Sequence, residues 1–206
     1  MITIVDYGMG NLGSVLNMFR RIGVAAEATS DLAAIENAEK ILLPGVGAFG
    51  AAMKRVEEGN FKAVLNKKAL QDKIPVLGIC LGMQLLTNGS EEAPEPGLGW
   101  IDAEAKKFKF EISSGLKVPH MGWNTVIKRN NSPLTDPLPD EAKFYFVHSY
   151  YVKVKAESNS LMQAHYGIDF DAVITNGANI FGAQFHPEKS HKFGMNLLAN
   201  FAAIKF

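Results

Sequence analysis

The sequence predicts an α/β fold in which a mostly parallel sheet has helices on both faces and gains antiparallel strands in its second half. Short apolar runs alternate with amphipathic stretches up to about residue 86, which is typical of parallel strands joined by helical crossovers. Beyond residue 89 the pattern changes to alternating strands and turns. The 206 residues, 47% of them hydrophobic, suit a single domain over residues 1–206 with a sizeable core.

The first half reads as a regular alternation of strands and helices. We expect strands at residues 2–5, 25–29, 40–43 and 74–79. A helix with apolar residues at helical spacing follows the candidate N-cap Asn11 and stops at Gly23, and Asp31 is placed to cap a second, short helix. Further helices are predicted at residues 51–57 and 61–70, and one begins near Leu81.

The second half reads as antiparallel sheet closed by a helix. Residues 90–99 and 131–140 are rich in proline and are predicted to be loops. We expect strands at residues 100–110, 118–128, 143–154 and 161–166, and two more within residues 172–185. Asn176-Gly177 between those last two is a strong hairpin signal. The final helix is predicted at residues 192–204.

Composition excludes several classes of function. The 21 basic and 21 acidic residues cancel, so no nucleic-acid partner is indicated. The one cysteine excludes an internal disulfide and a cysteine-rich metal site, and it fits a reducing compartment. We find no signal-peptide pattern and no apolar run of membrane-spanning length. We therefore expect a soluble, cytoplasmic protein with no cofactor, no metal and no membrane association.

The stretch around Cys80 resembles a nucleophile elbow. Cys80 lies between a predicted buried strand and a predicted helix, with Gly78 and Gly82 two residues away on either side. A nucleophile on so sharp a turn needs an unusual backbone conformation, and the glycines leave room for it. The start of the following helix favours a thiolate and a developing oxyanion. The alternative is a small buried cysteine between two helix-packing glycines.

A glycine-rich loop follows the third predicted strand. PGVGAFG, residues 44–50, could be a flexible turn, or its N–H groups could point at an anion or a carbonyl oxygen. Ligands of parallel sheets bind at the carboxyl ends of strands, where residues 45–47 and Cys80 would both lie. The loop is therefore a candidate partner of Cys80.

A cysteine nucleophile needs a base, and the base needs an orienting group. Of the five histidines, His186 is distinctive, because an apolar strand leads into Phe185-His186-Pro187-Glu188. In an extended chain alternate residues face the same side, so His186 and Glu188 can converge. His165 and His191 are interpreted as structural, whereas His120 and His148 could reach the cleft.

Two separated motifs resemble one known family. GICLGMQ at residues 78–84 and QFHPE at residues 184–188 are similar to class I glutamine amidotransferases, which have a flavodoxin-like three-layer fold and a Cys-His-Glu triad. Within that class the chain most resembles the glutaminase subunits of imidazole glycerol phosphate synthases. The stretches that carry this resemblance are DYGMGNLGS, PGVGAFG, PHMGWN and FVHSYY, so that it extends over essentially the whole chain.

The resemblance implies that glutamine is hydrolysed to glutamate and ammonia through a thioester on Cys80, with His186 and Glu188 completing the triad. Backbone N–H groups around Val46, Gly47 and Leu81 would form the oxyanion hole. The residues implied to bind glutamine are Gly45, Gln84, Glu92, Ser149 and Tyr150. An exposed loop glutamate such as Glu92 is otherwise most often a solvated charge.

The resemblance also implies a partner. In this family the chain forms a heterodimer with a cyclase subunit of (β/α)8 barrel fold, which receives the ammonia. The implied interface residues are Asn11, Met121, Trp123 and Lys189, although Trp123 could equally be a core residue. The freedom of PGVGAFG suggests that the loop turns its N–H groups toward the oxyanion only when the partner docks.

The sequence leaves three alternatives open. The chain could be a glutaminase subunit for anthranilate, aminodeoxychorismate or pyridoxal phosphate synthesis. It could be a catalytically silent docking subunit, although every triad residue is present. It could also be a cysteine peptidase or γ-glutamyl hydrolase, which leaves PGVGAFG and PHMGWN unexplained.

Overall fold

The computed structural model describes residues 1–205 and has thirteen strands there. They are β1 (Ile2–Val5), β2 (Ala26–Thr29), β3 (Ile41–Leu43), β4 (Val76–Ile79), β5 (Gly89–Ser90), β6 (Ala93–Pro96), β7 (Ala103–Lys107), β8 (His120–Lys128), β9 (Lys143–His148), β10 (Tyr150–Val154), β11 (Ser160–Tyr166), β12 (Ile168–Thr175) and β13 (Ile180–Ala183).

Six α-helices accompany these strands within the described residues. They are α1 (Leu12–Arg21), α2 (Leu32–Glu36), α3 (Phe49–Glu58), α4 (Phe61–Asn66), α5 (Leu81–Leu85) and α6 (His191–Ala203). A π-helical turn, Lys67–Gln71, continues α4, and Pro187–Lys189 forms a 3₁₀ turn. Asn11 and Asp31 accept backbone N–H bonds at the starts of α1 and α2, so both predicted N-caps are confirmed.

The first half of the chain forms the parallel part of the sheet, as predicted. Strand order along the main path is β2-β1-β3-β4-β13-β12-β10-β7-β5-β6. The pairs β1–β2, β1–β3, β3–β4 and β4–β13 are all parallel. The β4–β13 pair matters most for function, because it joins the first half of the chain to its C-terminal part beside Cys80.

The second half forms the antiparallel part, as predicted, except that the short strand β5 pairs with β7 in parallel. Strands β12 and β13 form the predicted hairpin, and the Asn176 side chain accepts the Ala178 and Ile180 N–H groups, at 3.0 Å each. Beyond the main path, β11 pairs with β12 and β8, and β8 pairs with β9. These strands place β8 and β9 beside the C-terminal helix region.

Two details of the second half differ from expectation. Residues 90–99 are not all loop, because β6 pairs with β5 at the sheet edge. Prolines are tolerated there because an edge strand needs N–H groups on one side only. The predicted strand 143–154 is broken at Ser149 into β9 and β10, which belong to different ladders.

Hydrophobic layers cover both faces of the sheet, so the three-layer architecture is confirmed. On one face, α1 and α6 pack Phe19 and Phe201 against β1 residues such as Ile4. On the other face, α3 contributes Phe49 and its neighbours to a cluster with β3 and α5. Within residues 1–205, helices of bilayer-spanning length and hydropathy are absent.

Candidate active site

Cys80 occupies the one-residue turn between β4 and α5. Its backbone has φ of +53° and ψ of −110°, a left-handed conformation that non-glycine residues rarely adopt. Its N–H donates to the Ala183 carbonyl of β13 at 2.7 Å, so the sheet itself holds the turn. Strained backbone of this kind is typical of functional sites, and it matches the elbow that the sequence predicts.

The flanking glycines are needed because the backbones approach closely. A Cβ on Gly78 would lie 2.6 Å from the Gly82 carbonyl oxygen. A Cβ on Gly82 would overlap the Leu43 carbonyl oxygen at the end of β3. Both neighbours are backbone atoms, which cannot rotate away, so side chains at these two positions would displace the elbow.

The pairing of β4 with β13 brings distant residues to Cys80. Ile79 and Ala183 are partners in this parallel ladder, so Cys80 and Gln184 leave the sheet side by side. The Gln184 side-chain amide lies 3.8 Å from the Cys80 sulfur. His186 follows two residues later, at the same carboxyl edge of the sheet.

His186 and Glu188 converge, but not along an extended chain. Nδ1 of His186 lies 2.7 Å from Oε1 of Glu188, and both side chains are at most 4% exposed. The expectation of an extended path is wrong, because Pro187–Lys189 is a 3₁₀ turn. Ser190 fixes this turn by donating to the His186 carbonyl at 2.6 Å. The turn folds Glu188 back onto the ring, which alternation alone would not do.

The charge balance favours a protonated ring. Burial by itself lowers the pKa of His186, because it disfavours the charged imidazolium. The Cys80 and Glu188 side chains outweigh burial and raise the pKa of His186 to about 10. Nε2 of His186 and Oε2 of Glu188 are buried without a hydrogen-bond partner. His186 and Cys80 line the same cavity, so Nε2 is the ring nitrogen that can give a proton to a leaving group there or take one from water.

A cavity of about 350 Å³ opens beside Cys80 and His186. Its walls come from the elbow, the glycine-rich loop, the β9–β10 corner and the segment before β8. The lining residues are Val46, Gly47, Cys80, Leu81, Gln84, Glu92, Pro119, Val147, His148, Ser149, Tyr150 and His186. This volume is at the small end of ligand pockets, which suits a molecule of amino-acid size.

The glycine-rich loop forms the outer wall of this cavity. Val46 is 44% exposed, and Gly47 has φ of +111° with the Met9 side chain packed against it. The hydroxyl of Tyr7 donates to the Pro44 carbonyl at 2.6 Å and so fixes the start of the loop. Gly45 is buried against Tyr7 and Leu81 and does not line the cavity.

Gln84 and Glu92 both line the cavity while holding its walls together. The Gln84 amide nitrogen donates to the Tyr150 carbonyl at 3.3 Å and to Gln184 at 3.2 Å. A Glu92 carboxylate oxygen accepts the N–H of Phe49 at 2.9 Å, at the N-terminus of α3. Glu92 is therefore an anchored carboxylate and not a freely solvated charge.

Sequence reasoning missed some of the residues at the site. Gln184 contacts the Cys80 sulfur, and its place within QFHPE was the signal that could have identified it. Pro119 and Val147 also line the cavity, and their places within PHMGWN and FVHSYY were the signal that could have identified them. His148, which the sequence left undecided, lines the cavity too.

The four predicted interface residues are all exposed, and three of them lie on neighbouring elements. Met121 and Trp123, on β8, are 61% and 48% exposed, so the core interpretation of Trp123 is wrong. Trp123 stacks on His191, with 5.4 Å between ring centroids, and also contacts Tyr145. Lys189 lies 5.8 Å over the Tyr145 ring. Asn11 is exposed at the start of α1, which packs against the turn that carries Lys189.

The residues around Cys80 contain no metal site. Among residues 1–205, His, Cys, Asp and Glu side chains form no group of three that could hold a metal ion.

The sequence model of the family "Glutamine amidotransferase class-I" matches residues 3–204 of this chain. The chain belongs to this family. It is 51% identical, over 98% of both chains, to the imidazole glycerol phosphate synthase subunit HisH 2 of Methanococcus maripaludis. It is 47% identical to the subunit of the same name from Pseudomonas aeruginosa, over 99% of this chain and all of that one. The HisH subunit of Bdellovibrio bacteriovorus is 43% identical over 99% of this chain and all of the other.

Solved structures of the family share the fold at low sequence identity. A glutamine amidotransferase crystal structure superimposes with a TM-score of 0.76 and 17% identity, covering 98% of this chain and 99% of that one. A glutamine amidotransferase from Thermotoga maritima gives a TM-score of 0.65 at 18% identity, covering 91% of this chain and 75% of the other. The family fold is thus present along the chain.

Proposed function

We propose that this protein is the glutaminase subunit of an imidazole glycerol phosphate synthase. It would hydrolyse L-glutamine to glutamate and ammonia, and a cyclase subunit would use the ammonia to make imidazole glycerol phosphate in histidine biosynthesis. The observation that carries the proposal is the cavity that is lined by Cys80 and by His186, whose ring is paired with Glu188. The HisH names of relatives that match nearly the whole chain support the choice of pathway.

The reaction would begin when the Cys80 sulfur attacks the side-chain amide carbon of glutamine and forms a tetrahedral adduct. The imidazolium of His186 then gives its Nε2 proton to the amide nitrogen, which leaves as ammonia, and a thioester remains on Cys80. Glu188 keeps Nδ1 protonated and stabilises the charged ring. The role of His186 as the acid agrees with its raised pKa.

The second half of the reaction would release glutamate. Neutral His186 takes a proton from water, which attacks the thioester carbon. The C–S bond breaks, the sulfur leaves as the thiolate, and the carboxyl group of glutamate forms. Cys80 is then a thiolate and His186 an imidazolium, as before the reaction, so the cycle closes without a cofactor or a metal.

Backbone amides would hold the negative charge that develops on the substrate oxygen. Leu81, directly after the elbow, and Val46 and Gly47 of the loop all line the cavity beside Cys80. One such donor is typically worth about 3–4 kcal/mol of transition-state stabilisation. We propose that the loop supplies its donor fully only in the complex, since Val46 is exposed and Gly47 has a conformation that permits a peptide rotation.

The far end of the cavity would bind the amino-acid group of glutamine. Glu92 supplies a carboxylate suited to the α-ammonium group, and Ser149 and Tyr150 supply backbone groups at the β9–β10 corner. Gln84 would support this corner through its bond to the Tyr150 carbonyl. Gly45 would contribute through the shape of the loop, because it lies beneath the cavity wall.

The cyclase subunit, with its (β/α)8 barrel, would dock on the exposed face formed by Met121, Trp123, Lys189 and Asn11. Aromatic and Met side chains are enriched at such interfaces. Pro119, immediately before β8, lines the cavity, so the proposed docking face and the site of ammonia release are adjacent in the chain. Ammonia could then pass into the partner without entering bulk water.

Reconstitution tests the proposal. The chain is mixed with the cyclase subunit encoded by the same organism, and glutamine hydrolysis and imidazole glycerol phosphate formation are measured together. We expect a one-to-one complex in which glutamine supports product formation, and a Cys80→Ala chain that supports it only when free ammonia is added. A complex with an anthranilate-type or pyridoxal-type partner instead would point to another pathway, and a wild-type complex that needs ammonia would indicate a silent docking subunit.

A further inference from the structure

A chain of hydrogen bonds connects strand β8 with the wall of the cavity through two buried histidines. Nδ1 of His148 lies 2.7 Å from the Tyr150 carbonyl oxygen. Nε2 of His148 lies 2.9 Å from Nδ1 of His120. Nε2 of His120 lies 3.3 Å from the amide nitrogen of Asn124. His120 and His148 are 3% and 6% exposed, so solvent does not compete for these bonds.

The chemistry of the two ends fixes the direction of every bond. A carbonyl only accepts, so Nδ1 of His148 must carry the proton that it shares with Tyr150. Burial lowers the pKa of both histidines, to about 4 for His120 and about 3 for His148, so both rings are neutral at pH 7. Nε2 of a neutral His148 accepts, which makes Nδ1 of His120 the donor. Nε2 of His120 then accepts from Asn124, and each ring has a single tautomer.

The Tyr150 carbonyl is the point where this chain meets the proposed glutamine site. It also accepts a bond from the Gln84 amide at 3.3 Å. Gln84, His148 and Tyr150 line the cavity, whereas His120 does not. His120 is itself held by ring stacking on Tyr166, with 4.1 Å between centroids, and on Phe146, with 4.9 Å. His120 is therefore a rigidly held hydrogen-bond donor that acts on the proposed glutamine site through His148 and does not line the cavity itself.

We propose that His120 is a positioning residue for glutamine: its Nδ1–H bond to His148 fixes the His148 tautomer that holds the Tyr150 carbonyl and, through it, the Gln84 amide. The inference rests on the proposed glutaminase function. Without the His120 donor, His148 is free to protonate at Nε2, and its Nδ1 then repels the carbonyl that it should bind. The β9–β10 corner then shifts relative to the rest of the cavity, and glutamine binding weakens.

Steady-state glutamine hydrolysis by the chain in complex with its cyclase subunit tests this role. His120→Phe keeps an aromatic ring in the stack but removes the donor. His120→Asn places an amide N–H where Nδ1–H was. We expect His120→Phe to raise KM for glutamine about tenfold or more with kcat within about threefold of wild type, and His120→Asn to restore KM. His165→Asn, which changes an exposed histidine paired with Asp169, serves as the control.

Two further measurements separate positioning from structural damage. Alkylation of Cys80 by iodoacetamide, which needs none of the proposed contacts to the amino-acid group of glutamine, should proceed at the same rate in wild type and His120→Phe. The ¹⁵N shifts of the wild-type imidazoles should show His148 protonated at Nδ1, a readout that remains valid if His120→Phe does not fold. Equal KM increases in His120→Phe and His120→Asn, an unchanged KM, or an Nε2-protonated His148 would overturn the role of His120. A wild-type complex unable to hydrolyse glutamine would instead refute the proposed function and leave the tautomer intact.

Discussion

Nδ1 of His186 and Oε1 of Glu188 lie 2.7 Å apart in a turn that is almost closed to solvent. Glu188→Gln keeps an oxygen that accepts from Nδ1 but removes the charge, so the pKa of His186 should fall. We expect kcat for glutamine hydrolysis to drop by roughly 10²–10⁴-fold with little loss of stability. Rates of ammonia release measure the effect, and Glu141→Gln, at an exposed position, is the matched control. Wild-type rates in Glu188→Gln would exclude Glu188 from the triad.

The Tyr7 hydroxyl fixes the start of the glycine-rich loop through the Pro44 carbonyl. Tyr7→Phe removes this bond and leaves a buried carbonyl unpaired, which should destabilise the chain by about 1–3 kcal/mol. Urea unfolding measures that loss. Tyr151→Phe is the control, since the Tyr151 ring packs on Phe108 and its hydroxyl has no hydrogen bond among residues 1–205. If the two variants are equally stable, the Tyr7–Pro44 bond does not hold the loop.

The two glycines Gly82 and Gly13 should respond to alanine in opposite directions. Gly82→Ala brings a methyl group onto the Leu43 backbone, so we expect a loss of about 1–3 kcal/mol and a displaced elbow. Gly13 lies in α1 with open space around it, and Gly13→Ala should stabilise the chain by roughly 0.5–1 kcal/mol. Thermal unfolding of both variants checks the signs. A Gly82→Ala chain as stable as wild type would mean that the elbow can relax.

Acid should destabilise the protein through the buried histidine pair. Burial lowers the pKa of His120 to about 4 and that of His148 to about 3, so between pH 6.5 and 4 the unfolded chain binds protons that the folded chain does not. Stability should fall by about 2 kcal/mol per histidine between pH 6.5 and 4.5. His186 adds nothing in this window, because its raised pKa makes stability fall only as pH rises above about 6.5.

Comparing wild type with His120→Asn separates the contribution of His120 from that of the carboxylates, which also titrate in acid. His120→Asn cannot take up the proton, so its stability should depend less steeply on pH between 6.5 and 4.5 than that of wild type. Urea unfolding at several pH values provides the two slopes. Parallel slopes would show that the folded chain protonates His120 as readily as the unfolded chain does.

Trp123 should contribute to partner binding and not to folding, because half of its side chain is exposed. Trp123→Ala should weaken binding to the cyclase subunit by about 2 kcal/mol or more, a factor of roughly thirty in Kd. Titration calorimetry measures the change. Ile112→Ala, at a fully exposed apolar residue outside the proposed interface, should leave binding intact. Equal affinities for Trp123→Ala and wild type would place the partner elsewhere.

Local sequence patterns predicted the elements well, because hydrophobic spacing and capping residues act within a few positions. Asn11, Asp31 and Asn176 each signalled an element boundary that the structure has. Residues 93–96 were predicted as loop because two prolines there conceal an edge strand. The strand propensity of a segment depends on its own residues, so it does not indicate that a neighbouring strand is available to pair with it.

The site was only partly predictable for a related reason. The two glycines that flank Cys80, and the two-residue spacing of His186 and Glu188, singled out these residues, although the 3₁₀ turn that joins His186 to Glu188 was not expected. The contact of Gln184 with Cys80 and the contact of His120 with His148 depend on strand pairing between residues 104 and 28 positions apart, respectively. No local pattern encodes the register of β4 with β13 or of β8 with β9, and that register determines which side chains meet.

We propose that Cys80 forms a covalent glutamyl intermediate with His186 as its acid and base. Incubation of the assembled complex with a glutamine-mimicking electrophile, followed by peptide mass spectrometry, tests it most directly. We expect one adduct, located on Cys80, that excess glutamine suppresses and that forms much more slowly in His186→Gln. An unmodified Cys80, or labelling at the same rate in His186→Gln, would contradict it.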